Sequence, residues 1–168
     1  PSCKPPHKQD TAASAEDRLA MLRLAVGSDD RFEIDDLELH RAGPSYTIDT
    51  ALALRERFGQ DAKLNWLIGA DMLADLDQWY QARELVELMD FVIALRRPWH
   101  DRLGDIFLRL GKTFTPERIG RLQANVIETA LVDISSTQVR QAAGAGESLD
   151  ALVPQGVADY ITSHHLYQ

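Results

Sequence analysis

Asp133-Ile134-Ser135-Ser136-Thr137-Gln138-Val139-Arg140 is the stretch on which the fold turns. It follows Val126-Ile127-Glu128-Thr129-Ala130-Leu131-Val132, an apolar, β-branched run that reads as a strand. Three hydroxyl residues then stand where a helix would begin, and Val139, Ala142 and Ala143 continue at helical spacing up to Gly144. A strand running into a Ser/Ser/Thr start leaves orphan backbone N–H groups at the positive end of a helix dipole, where anions gather. Arg140 lies one turn further on, within reach of a bound phosphate for its planar fork. The stretch alone supports two readings: a phosphate cradle, or an ordinary N-cap followed by a surface arginine.

Upstream, strands and helices alternate. Ser14 and Asp17 predict a capped helix with Leu19, Leu22 and Val26 on one face, stopped at Gly27. Arg31 to Asp35 alternates polar and apolar residues, predicting a short half-exposed strand, and the alternation runs on to Arg41. Ser45-Tyr46-Thr47 opens a helix with Ile48, Ala51, Leu52 and Phe58 as its apolar side and Gly59 as its stop. Lys63 to Ile68 reads as a buried strand ending at Gly69, and Ala70-Asp71-Met72 as a short helix. Residues 82–89 predict another helix, Phe91 to Leu95 a strand ended by Arg96-Arg97-Pro98, and Pro154 the start of a last helix. Trp99 to Asn125 is hard to read, because helical spacing is interrupted by Gly104, Gly111 and Pro116. The alternation predicts an α/β fold, a doubly wound and mainly parallel sheet whose ligands bind at the carboxyl ends of its strands.

Composition narrows the function classes. The chain has 168 residues, 45% of them hydrophobic and 26% charged, the proportions of one globular domain. No apolar run nears the roughly 20 residues that span a bilayer, and no basic-then-apolar signal segment opens the chain. The single Cys3 excludes an internal disulfide framework and a cysteine metal cluster, which fits a cytoplasmic setting. A net charge of −8 without a basic stripe argues against nucleic acid, while a local nest of donors still suits a small anion. Homo-oligomerisation is left open.

Several other pieces carry two readings each. After the strand at 63–68, Gly69 allows close approach of a ligand, and Asp71 either accepts from ribose hydroxyls or caps the short helix. Trp79-Tyr80 suits stacking on a flat ring or packing in a core; a dipeptide points two ways, so at least one ring meets a surface. Lys8, in Pro5-Pro6-His7-Lys8, could meet a phosphate or simply water, and Ser45-Tyr46-Thr47 a carboxylate or only its own helix. Arg96 and Arg97 pair with an anion or with surplus acidic residues. His40, His100, His164 and His165 show no metal-ligand spacing.

In this order, the pieces resemble bacterial nicotinate-nucleotide adenylyltransferase. They are Pro5-Pro6-His7-Lys8, Gly43-Pro44-Ser45-Tyr46-Thr47-Ile48-Asp49-Thr50, Gly69-Ala70-Asp71, Trp79-Tyr80, Arg96-Arg97-Pro98, Ile134 to Arg140, and Leu152-Val153-Pro154 through Tyr167. The resemblance implies a Rossmann-like nucleotidyltransferase domain spanning residues 1–168 that transfers AMP from ATP to nicotinate mononucleotide. Deamido-NAD and pyrophosphate would form, with Mg²⁺ bound alongside ATP. It further implies that Ser135, Ser136 and Arg140 hold the ATP phosphates, and Gly69 with Asp71 the ATP ribose region. Ser45, Tyr46, Thr47, Trp79 and Tyr80 would hold the nicotinate ring and carboxylate, and Lys8 would face the reacting phosphates.

One departure stands out. The family begins with a strand, a Gly-rich turn, a His-x-Gly-His motif and a first helix, none of which precedes Pro1 here, and the chain opens like a loop cut midway. The expectation is an N-terminally incomplete domain with exposed strand edges, inactive and poorly folded when residues 1–168 are expressed alone. Two alternatives stay beside the main reading. One is a related adenylyltransferase acting on nicotinamide mononucleotide or phosphopantetheine; the other is a non-catalytic nucleotide-binding module.

Overall fold

The Ser14 hydroxyl accepts the Asp17 N–H at 3.0 Å, while the Asp17 carboxylate accepts the Ser14 N–H at 3.3 Å and its hydroxyl at 2.7 Å. This capping box starts helix α1 (Ala15–Val26), and Gly27, at φ 59°, ends it. The computed structural model describes residues 13–95, 99–129, 132 and 134–168. Lys8 and its loop, Arg96-Arg97-Pro98, and residues 130, 131 and 133 lie outside the described residues. Two compact units emerge, one taking Tyr46–Val132 and the other the described residues on either side of it. Among the described residues no helix is long and apolar enough to cross a membrane.

The flanking unit is built on α1, α7 (Ser136–Gly144) and α8 (Gln155–Ser163), around Ala142, Ala143, Leu149, Val157, Ala158 and Ile161. Met21 and Val139 pack on that cluster, whereas Leu22 of the expected α1 face stays exposed. Residues 31–41 form no strand, contrary to their alternation. Asp29 instead grips its neighbour Arg31 through the backbone N–H and the guanidinium, Asp35 accepts the Leu37 N–H at 2.9 Å, and Leu39 closes a turn on Asp36. Alternation needs a partner strand, and local aspartate bonds win where none is paired.

Tyr160 ties α8 to α1 by donating its hydroxyl to Asp17 at 3.0 Å. Hydrogen bonds from Ser14 and then Tyr160 hold the Asp17 carboxyl below its usual range. A carboxylate with a lowered folded-state pKa stabilises the fold above the unfolded pKa and loses that contribution as pH falls through the folded value. Acid unfolding should therefore steepen below about pH 4, and Asp17→Asn should flatten it. Chemical denaturation across that pH range reads the difference.

The central unit carries the sheet. Strand β1 (Asn65–Gly69) pairs in parallel with β2 (Asp90–Leu95), and β2 in parallel with β3 (Val126–Glu128), so the order follows the chain. The first crossover carries α3 (Ala70–Leu73) and α4 (Ala82–Leu88), the second α5 (Leu103–Leu110) and α6 (Pro116–Ala124). Helix α2 (Thr47–Phe58) precedes them and stops at Gly59, φ 89°. Phe91, Ile93 and Leu95 point into a core shared with Ile68, Leu73, Leu76, Leu85 and Leu110. The opposite face carries Leu67, Val92, Ala94 and Ile127. Leu67 is 67% exposed there, so β1 is not the fully buried strand its sequence predicts. It is an edge strand, paired on one side among the described residues. The open parallel sheet with flanking helices matches the expected class. Of the expected α2 face, Ile48 and Ala51 are buried while Leu52 and Phe58 are exposed.

Arg55 closes the end of α2. Its guanidinium donates to the Gln60 carbonyl at 2.7 Å and also to those of Ala62 and Leu88. One cation thus ties two carbonyls of the loop after α2 to the last carbonyl of α4. Arg55→Met should cost about 2 kcal/mol, the scale of charged hydrogen bonds whose acceptors lose their donor. Urea denaturation would show it as a lower midpoint at unchanged slope.

Candidate nucleotide site

Strand β1 ends at Gly69, whose backbone (φ −77°, ψ 157°) any residue could adopt. What glycine supplies is room: a Cβ there would overlap Asp71 Oδ1 outright and sit 3.4 Å from its Cγ. The Asp71 carboxylate thus lies folded over the strand end. Around it opens a cavity of about 440 Å³ lined by Gly69, Asp71, Met72, Ala94 and Thr129, together with Leu67, Ile68 and Val132. This is the carboxyl edge of a parallel sheet, where such folds bind ligands. Thr129 donates its hydroxyl to the Leu95 carbonyl at 3.4 Å, which joins the ends of β2 and β3 beside the cavity. Sequence reasoning passed over Thr129 and Met72; their position at element ends, like that of Gly69, was the available signal.

The aromatic pair divides as a dipeptide must. Trp79 turns inward and meets Phe91 edge-on, with centroids 6.1 Å apart at 74°. Tyr80 turns out, 54% exposed, and lies against Tyr46 with centroids 4.6 Å apart at 36°. The structure therefore unites Tyr46 and Tyr80, residues 34 positions apart in the chain. Tyr46 is also the N-cap of α2 and makes no side-chain cap bond, with Thr47 as the first helical residue. Ser45 does not cap that helix; it is buried, and its hydroxyl donates to the Glu38 carbonyl at 3.5 Å.

In the flanking unit, Ser135 caps α7. Its hydroxyl accepts the Gln138 N–H at 3.2 Å, and the Gln138 side chain accepts the Ser135 N–H at 2.6 Å. Among the described residues the N–H groups of Ser136 and Thr137 have no such cap bond and stand as orphan donors of the first turn. Arg140 is exposed and donates to the Thr137 hydroxyl at 3.3 Å, which holds its guanidinium beside that turn. Gly144 lets the C-terminal tail approach, since a Cβ there would sit 3.0 Å from the Tyr167 carbonyl. Burial pushes the Tyr167 phenol up, opposed by the nearby charges of Arg140 and Arg18.

Among the described residues no three His, Cys, Asp or Glu side chains cluster as a metal site. Mg²⁺ is commonly held by substrate phosphates, water and one or two carboxylates. Asp71, at the edge of the cavity beside β1, is a carboxylate of that kind.

Comparisons with known proteins bear on the family and the fold. A cytidylyltransferase-like family model matches residues 1–142. A probable nicotinate-nucleotide adenylyltransferase of Synechococcus sp. is 40% identical over 168 residues, covering 99% of this chain and 77% of its own length. One from Opitutus terrae is 40% identical over 169 residues, covering 100% and 80%. Among solved structures, Plasmodium falciparum nicotinic acid mononucleotide adenylyltransferase complexed with NaAD superposes with a TM-score of 0.68 at 16% identity. That match covers 96% of this chain and 78% of the other, a likeness of fold.

Proposed function

The chain belongs to the nicotinate-nucleotide adenylyltransferases of the cytidylyltransferase-like family, and on that premise we propose that it transfers AMP from ATP to nicotinate mononucleotide in NAD biosynthesis. A phosphate oxygen of the acceptor forms a bond to the α-phosphorus of ATP. The bond from that phosphorus to the β-bridging oxygen breaks, and pyrophosphate leaves with the electron pair. No protein nucleophile is required. The work of the chain is alignment and the stabilisation of charge on the equatorial oxygens.

Each site residue then has a task. The Ser136 N–H and the Arg140 guanidinium bind phosphate oxygens of ATP, with Ser135 fixing the turn that presents them. Asp71 accepts from the ATP ribose hydroxyls, and Gly69 leaves its carboxylate room. Tyr46 and Tyr80 offer flat surfaces to the nicotinate ring, Trp79 supports them from the core side, and the backbone at Ser45 and Thr47 meets the ring's carboxylate. Lys8 is assigned to the reacting phosphates. Mg²⁺, bound with ATP, would neutralise phosphate charge. A chain with one cysteine suits the reducing cytoplasm, where both substrates are found.

The observation that carries the reading is the likeness to named adenylyltransferases over 99% of the chain. It is tested by offering the whole gene product ATP with nicotinate mononucleotide, nicotinamide mononucleotide or phosphopantetheine. Turnover is expected to favour the nicotinate acceptor by about 10-fold or more, the discrimination a site gains by pairing a charged group. Equal or better turnover of another acceptor would overturn the assignment.

A further inference from the structure

Trp79 and Tyr80 sit on a short loop between a 3-10 turn at Leu76–Gln78 and α4. The loop is held at several points. Leu76 is fully buried, and the Ala82 N–H donates to the Trp79 carbonyl at 3.1 Å, closing a tight turn with Tyr80 and Gln81 at its centre. Gln81 takes the left-handed conformation, φ 53° and ψ 40°, which such turns usually give to glycine. A glutamine keeps that geometry only where its surroundings over-determine it.

One anchor comes from another element. Asp77, its side chain 17% exposed, faces Arg109 near the end of α5, with Oδ1 and Nη1 3.4 Å apart. Asp77 and Trp79 also line an open cleft of about 430 Å³, whose other wall includes Thr113, just past α5. Asp77 therefore both meets Arg109 and forms part of the wall of the cleft that Trp79 borders. We propose that Arg109, acting through Asp77, is a positioning residue for Trp79 and Tyr80, and so sets acceptor affinity without touching the acceptor. This rests on the reading that the aromatic pair receives the nicotinate ring. It gives α5, within the stretch whose role the sequence leaves unread, a part in substrate choice.

Calorimetric titration of the whole gene product with nicotinate mononucleotide and, separately, with ATP tests the proposal in Arg109→Met, Arg109→Lys, Asp77→Asn and Trp79→Ala. Arg109→Met should weaken nicotinate mononucleotide about five-fold and ATP by less than about twofold, with Arg109→Lys recovering most of the loss. Asp77→Asn, which keeps the side-chain shape, should repeat the Arg109→Met pattern and serves if that variant does not fold. Should Trp79→Ala weaken the acceptor while Arg109→Met and Asp77→Asn leave it unchanged, Arg109 is no positioning residue. Equal losses for acceptor and ATP would mean a general structural role and also overturn the proposal. If Trp79→Ala leaves acceptor binding intact, the reading of the aromatic pair itself fails.

Discussion

Gly69→Ala is expected to lower kcat/KM for ATP by about 100-fold, the scale of a displacement near 1 Å in an aligned site. The backbone at 69 is one that alanine adopts freely, so the change acts through space and not through strain. The new methyl would overlap Asp71 Oδ1 and push the carboxylate off the strand end. If Asp71 carries the effect, Asp71→Ala should cost about as much alone, and adding Gly69→Ala to it should cost little more. Steady-state kinetics on the two single variants and the double variant read this directly. A double variant as poor as the product of the singles would mean that Gly69 matters for another reason.

Arg140→Met should reduce kcat/KM for ATP by a similar factor, about 100-fold, the loss seen when one donor to a developing phosphoryl charge is removed. Its position motivates the size. The guanidinium is held at the first turn of α7 by Thr137, beside the orphan N–H groups of Ser136 and Thr137. Arg140→Lys should recover only part of the activity, because an ammonium supplies charge without the bidentate fork. Full activity in Arg140→Met would remove Arg140 from the phosphate-binding machinery.

Much of this was legible because local chemistry fixed it. The Ser14–Asp17 pair wrote the start of α1, Gly27 and Gly59 wrote two helix ends, and Ser135 wrote the start of α7. Gly69 and Asp71 were legible as a strand-end pair, though their physical contact was not, since two residues of separation do not reveal a carboxylate folded back over a glycine. Other features depended on partners that sequence does not name. Residues 31–41 alternated like a strand yet settled into aspartate-closed turns. Leu67 had strand chemistry, and it is exposed because it lies on the sheet face opposite the buried core. The segment 99–125 was obscured by its glycines. Gly104 and Gly120 would meet nothing if they bore a Cβ, so they interrupt the pattern without breaking α5 or α6. Pro116, which looked like a breaker, is the first residue of α6 behind its Thr115 cap. Tyr46 and Tyr80 were both named, but only the fold shows that they touch.

The most direct measurement is product formation by the whole gene product supplied with ATP, Mg²⁺ and nicotinate mononucleotide, followed by chromatography and phosphorus NMR. Deamido-NAD and pyrophosphate should appear in equal amounts and only when both substrates are present. Binding of ATP with neither product formed would contradict the account and leave a nucleotide-binding module in place of an enzyme.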